Sequence, residues 1–164
     1  MIKCLVLDVD GTLTDGGIYI ASDKTEYKRF QAKDGLIVRV LPEIGIKTVI
    51  LTGRDSPLTL IRAEDLKISY IFQGVIDKKL SLNQFFFENN LDYSEIAYIG
   101  DDLNDYRAML LCGFKACPAD SATEIKTIAD YVSPCNGGDG AVRDICEKIL
   151  KDNGLWEDFL KLWM

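Results

Sequence analysis

Short apolar runs alternate with amphipathic stretches along the whole chain. Ile2–Leu7 is mainly apolar and runs into the acidic Asp8 and Asp10, and Ile46–Leu51 and Ile96–Ile99 are further apolar runs. Their length and β-branched content predict buried strands. Tyr70–Phe72 and Lys115–Cys117 predict shorter strands, and Tyr131-Val132 an edge strand. Gly17–Ala21 and Glu26–Gln31 flank the polar Ser22-Asp23-Lys24, which predicts a β-hairpin. Between the strands the period changes to that of a helix. One helix is expected from Asp34 to Ile44, with Leu36, Val40, Leu41 and Ile44 on its apolar face. Ser56-Pro57 opens another that runs to Leu66, with Ser as N-cap and Pro at the first position. Further helices are expected over Asp77–Asn89, Asn104–Leu111, from Ser121, over Gly140–Lys151 and over Leu155–Trp163.

Strand–helix alternation of this kind predicts an α/β fold: three layers, doubly wound, with a mainly parallel sheet and a protruding β-hairpin. At 164 residues the chain fits one domain, 1–164, and no repeat or linker interrupts it. In such sheets ligands bind beyond the carboxyl ends of the strands. Asp8, Thr52 and Asp101 each follow a predicted strand at that end.

Composition removes several classes of function. The net charge of −7 disfavours nucleic acid and anionic membrane surfaces, both of which need clustered Lys and Arg. No apolar run reaches the roughly 18 residues of a membrane span, and Met1–Gly11 does not read as a signal peptide. The cytoplasm is the expected location. The chain contains no histidine, which excludes Ser-His-Asp and Cys-His catalysis and HExxH zinc sites. Five cysteines without a CxxC pair read as small buried hydrophobes. GxxxxGK[ST] and GxGxxG cradles are absent.

Four short segments carry the candidate chemistry. Asp8-Val9-Asp10-Gly11-Thr12 leaves a strand with two carboxylates two positions apart. On its own this fits either an Asx-turn or half of a metal site. Gly100-Asp101-Asp102-Leu103-Asn104-Asp105 follows a second strand, where acids also suit a helix N-terminus. An acidic pair after each of two strands favours a hard divalent cation held by oxygen, Mg²⁺ above all. Thr52-Gly53-Arg54 offers a hydroxyl and an amide that an anion can approach, or a plain strand-to-helix turn. Lys78 opens a helix where the macrodipole disfavours it, which reads as a functional charge or as a surface lysine.

Taken in order, DVDGT (Asp8–Thr12), Thr52-Gly53, Lys78 and GDDLND (Gly100–Asp105) resemble the haloacid dehalogenase superfamily of phosphotransferases. The resemblance narrows over TDGGIY (Thr14–Tyr19), KDG (Lys33–Gly35), LTGR (Leu51–Arg54), FQGVIDK (Phe72–Lys78) and GGDGAVRDIC (Gly137–Cys146). These are similar to 3-deoxy-D-manno-octulosonate 8-phosphate phosphatases, and the likeness covers nearly the whole chain. Sibling phosphatases for nine-carbon sialic-type sugar phosphates share most of these motifs. Arg54 matches the octulosonate group, whereas a nononate enzyme has Glu there. The segments between Asp10 and Gly53 and between Gly53 and Lys78 leave no room for a cap domain. Capless relatives close their sites by forming homotetramers, so the resemblance places the Gly17–Gln31 hairpin and the C-terminal segment at subunit contacts, while the sequence alone shows an apolar hairpin that could also pack on its own domain.

The resemblance also implies roles. Asp8 would be the nucleophile and would carry an aspartyl-phosphate, and Asp10 the acid and then the base. Asp8, the Asp10 carbonyl and Asp101 would hold Mg²⁺, with Asp102 and Asp105 in support behind them. Thr52, Gly53 and Lys78 would bind the phosphoryl group. An anionic phosphorylated sugar acid carries a carboxylate, so Arg54 and Arg62 are the candidates to read it, Arg62 through a neighbouring subunit; either fits a surface arginine equally well. Arg143 would reach the site or pin the tail. A receiver domain is the chief non-enzyme rival, but its acidic pair comes early in the chain and its acceptor Asp later. A phosphatase fold kept only for assembly is the other, and intact Asp8 and Asp10 speak against it.

Overall fold

The computed structural model describes residues 1–164. Six parallel strands form one sheet: β1 (Cys4–Leu7), β4 (Lys47–Leu51), β5 (Tyr70–Phe72), β6 (Ile96–Ile99), β7 (Phe114–Cys117) and β8 (Tyr131–Val132). Their order across the sheet is β5-β4-β1-β6-β7-β8. The chain first winds outward from β1 through β4 to β5, then returns to β1's other side and winds out through β6, β7 and β8. The direction reverses at β1, so this is a doubly wound sheet with its switch point beside the end of β1.

Alternation along each strand splits the core between the two faces. Leu5, Leu7, Ile50, Ala97 and Ile99 face one layer, which holds α1 (Ala32–Val40), α2 (Pro57–Asp65), α6 (Ala141–Asp152) and α7 (Trp156–Lys161). Cys4, Val6, Val49, Leu51, Ile96 and Tyr98 face the other, built on α3 (Lys78–Asn89), α4 (Tyr106–Met109) and α5 (Thr123–Ile128). All four residues of β1 and of β6 are buried, as the central strands of a covered parallel sheet must be.

Several boundaries differ from the sequence reading. The helix expected from Asp34 begins at Ala32, and its buried residues include Ile37, Val38 and Val40, while Leu36 is exposed. Pro42 then tightens Leu41–Ile44 into a 3-10 turn, closed by Gly45 in the left-handed region. The hairpin is shorter than expected: β2 (Tyr19–Ile20) and β3 (Glu26–Tyr27) pair over two residues each, and a single bridge joins Thr14 to Phe30. An isolated two-stranded ribbon is marginal in water, which accounts for the short ladder. Helix α4 is one turn long, because residues 102–105 fold into turns around the Asp105 carboxylate. Asp105 N bonds to Asp102 O at 2.9 Å within that turn.

No helix is long and apolar enough to cross a membrane. Four of the five cysteines are buried and none is paired. Burial pushes the Cys4 and Cys112 thiols up to about 12, which keeps them protonated and unreactive.

Candidate active site

The carboxyl ends of β1, β4 and β6 meet at a cavity of about 430 Å³. It is lined by Asp8, Asp10, Thr52, Gly53, Arg54, Asp101, Asp102, Leu103 and Asn104. Each side chain arrives there because its strand ends there. Asp8 follows Leu7 directly and Thr52 follows Leu51 directly, while Asp101 comes just beyond Ile99. The β1 loop then turns back on itself. Gly11 has φ +88°, and a Cβ there would stand 2.1 Å from Asp101 Oδ2, so only glycine lets the two acidic loops approach so closely. The GGDG segment packs on the same loop. A Cβ on Gly137 would stand 1.8 Å from the Gly11 carbonyl oxygen, and Gly138 N donates to Thr12 O at 3.2 Å.

Lys78 is buried, not a surface lysine. Asp77 caps helix α3 by accepting from Leu80 N at 3.0 Å, and the first helical residue, Lys78, turns inward. Its Nζ donates to Asp8 Oδ1 at 2.7 Å and to Asp105 Oδ1 at 2.6 Å. Burial opposes the ammonium's charge, but the two carboxylates outweigh it and hold Lys78 above its ordinary value. Asp105 also accepts from Tyr98 Oη at 2.7 Å and, on Oδ2, from the amides of Asp101 and Asp102 at 3.1 and 3.4 Å.

Oxygens of Asp8, Asp101 and Asp105 lie within 4.8 Å of one another. Burial chiefly, with Asp105 adding repulsion, pushes Asp8 up to about 6. Burial and the neighbouring Asp8 push Asp101 up to about 8. Anions crowded in this way call for a cation. A carboxylate has about four acceptor positions, and Asp105 fills four with Lys78, Tyr98 and two amides. It therefore orients the cluster and leaves ligation to others. Asp8 has Lys78 on one oxygen only, and Asp101 takes one side-chain bond, from Thr12 Oγ1 at 3.1 Å. The Asp10 carbonyl accepts no hydrogen bond from the chain. This all-oxygen set fits a hard divalent ion.

The Asp10 side chain points elsewhere, to a residue that the sequence reading missed. Lys28 Nζ lies 2.8 Å from Asp10 Oδ1 and 3.1 Å from Oδ2. Strand alternation carried the signal, since Glu26 and Lys28 share one face of the hairpin and Tyr27 takes the other. Arg54 lines the cavity, with Nε 3.8 Å from Asp10 Oδ2 and Nη2 3.3 Å from Glu26 Oε1. Tyr98 was missed too, because a tyrosine inside an apolar strand reads as core.

The family model for haloacid dehalogenase-like hydrolases matches residues 65–145. The 3-deoxy-D-manno-octulosonate 8-phosphate phosphatase KdsC of Haemophilus influenzae is 35% identical over 153 residues, spanning 93% of this chain and 85% of the relative. The chain belongs to the 3-deoxy-D-manno-octulosonate 8-phosphate phosphatase family. A member from Moraxella catarrhalis, solved in complex with magnesium, phosphate and a KDO molecule, superposes with a TM-score of 0.95 at 39% identity. That match covers 99% of this chain and 94% of the other. The cobalt-bound form of the Haemophilus influenzae enzyme gives 0.90 at 34% identity, covering 94% and 91%.

Within this phosphatase family, two of the expected arginines stand away from the cavity. Arg62 does not line it. Its Nη2 donates to Gln31 O at 3.2 Å, its Nη1 meets Asp65 at 2.5 Å, and its guanidinium lies over the Phe30 ring, so it ties α2 to the start of α1. Within one chain it does not reach the cavity; the role expected of it runs through a neighbouring subunit. Arg143 pairs with Glu147 at 2.6 Å and covers the Phe159 ring, so it pins the tail.

Proposed function

We propose that the protein hydrolyses the phosphomonoester of 3-deoxy-D-manno-octulosonate 8-phosphate, giving the free sugar acid and phosphate. The observation that carries this reading is the buried Lys78 bridge between Asp8 and Asp105, beside an all-oxygen cation pocket at the switch point of the sheet. Asp8, the Asp10 carbonyl and Asp101 would hold Mg²⁺, and Asp102 at the rim would orient water there. When bound, the ion neutralises phosphate charge against an attacking carboxylate.

The chain's own residues supply the rest. An Asp8 oxygen attacks phosphorus and the bond from phosphorus to the sugar oxygen breaks, leaving a phosphoryl group on Asp8. Asp10 gives its proton to the departing sugar oxygen. It then takes a proton from the water that attacks the same phosphorus, and the bond to Asp8 breaks. Lys78, the Thr52 hydroxyl and the Gly53 amide meet the phosphoryl oxygens. Arg54, half-exposed at the rim, would meet the sugar carboxylate.

Exposed Tyr19, Ile20 and Tyr27 on the hairpin, with Leu60 and Ile61 on α2, support a homotetramer, which would cover the open cavity. A charged sugar phosphate does not cross a bilayer, so this reading places the enzyme with the synthesis of its substrate in the cytoplasm. Phosphate release with Mg²⁺ tests the substrate. The eight-carbon acid phosphate should be turned over with higher kcat/KM than the nine-carbon 9-phosphate and simple sugar phosphates. Preference for the nine-carbon acid would keep the mechanism and overturn the role given to Arg54.

A further inference from the structure

Lys28 is used by no step above, yet its side chain is fully buried at the base of a hairpin whose neighbouring residues are exposed. Taking an ammonium out of water costs several kcal/mol unless it is well paired. Its nearest acidic partners are Asp10, at 2.8 and 3.1 Å, and Glu26, at 3.8 Å. Arg54 Nε stands 3.8 Å from Asp10, beyond hydrogen-bond reach, and Arg54 spends its own hydrogen bond on Glu26. Lys28 is thus the only side chain that hydrogen-bonds the Asp10 carboxylate. With no exposed side-chain surface, it has none to offer a substrate.

We propose that Lys28 is the positioning residue for Asp10: it fixes the carboxyl beside the leaving-group oxygen, so the hairpin completes the catalytic loop of its own subunit. This rests on the reading of Asp10 as proton donor, and the test separates the two. A sugar alkoxide needs a proton to depart, and p-nitrophenolate does not. The ratio kcat/KM reports steps up to phosphoryl transfer and excludes the later hydrolysis.

Lys28→Met should lower kcat/KM about 10²-fold on the eight-carbon sugar phosphate. That loss should exceed the loss on p-nitrophenyl phosphate by about tenfold or more, and Lys28→Arg should recover most of it. Equal losses on the two esters, or none, would overturn the proposal. If Asp10→Asn shows the ester-dependent loss and Lys28→Met does not, only the positioning role falls. If Asp10→Asn loses both esters equally, the proton-donor reading falls first. Should Lys28→Met fail to fold, as judged by circular dichroism, Lys28→Gln carries the same comparison.

Discussion

At the scale of single residues, the site is a problem of crowded charge. Asp8 and Asp101 are held up to about 6 and about 8 because burial, with repulsion from Asp105 on Asp8 and from Asp8 on Asp101, favours their protonated forms. A bound cation needs both ionised. Mg²⁺ affinity should therefore rise with pH from 6 to 8, by roughly tenfold for each proton displaced per pH unit. Titration calorimetry in buffers of different ionisation enthalpy should detect the released protons, and a pH-independent affinity would contradict the account. Lys78 is the internal counter-charge. Lys78→Met leaves Asp8 and Asp105 facing each other without it, so urea denaturation should show a loss of roughly 3–5 kcal/mol. Asp8, Asp10, Asp101 and Lys78 were legible in the sequence as candidates, the acids from the pairs that follow two strands and the lysine from the family resemblance. The fourfold saturation of Asp105 was not, because it depends on Tyr98 and on two amides that only the folded turn aims at one oxygen.

At the scale of elements, helix ends hold the machinery in place. Helix α6 starts at Gly140 with no side-chain cap of its own. Asp34 of α1 serves instead, accepting from Arg143 N at 2.8 Å. Its second oxygen is buried without a partner, and burial pushes the carboxyl up to about 6. In the unfolded chain the same group titrates near 3.9. Between pH 4 and 6 the folded state therefore holds a proton that the unfolded state has lost. Stability from this group falls as pH rises through that window and is level above it. Asp34→Asn keeps the acceptor and removes the penalty, so thermal melts at pH 8 should show a gain on the order of 1 kcal/mol that vanishes near pH 4. Asp77→Ala removes the cap that starts α3 at Lys78 and should cost about 1 kcal/mol. The N-cap of α2 was readable from Ser56-Pro57, whereas the sequence reading placed Asp77 inside α3 and the structure makes it the cap. The cap of α6 was not readable, since its acceptor lies on another helix far away in sequence.

At the scale of the whole molecule, the sheet order puts three strand ends side by side at one cavity. Apolar runs predicted every strand of that sheet, because buried parallel strands carry their signal in composition. The hairpin was predicted longer than it is, since its ladder is exposed and its alternation reflects what it touches: Lys28 and Glu26 inward, Tyr19 and Tyr27 outward. Those outward residues carry the expectation of a homotetramer. Light scattering should give four chain masses, and a monomer with full activity would remove the idea that subunits close the site.

The claim on which the rest depends is that Asp8 is the nucleophile of a sugar-acid phosphatase. The direct test is phosphate release from 3-deoxy-D-manno-octulosonate 8-phosphate, with Mg²⁺, by the native chain and by Asp8→Asn. The account predicts sustained turnover by the native protein and a fall in kcat of more than about 10⁴-fold in a folded Asp8→Asn. Turnover by Asp8→Asn within about tenfold of native would contradict it, because an amide at that position cannot accept and return the phosphoryl group.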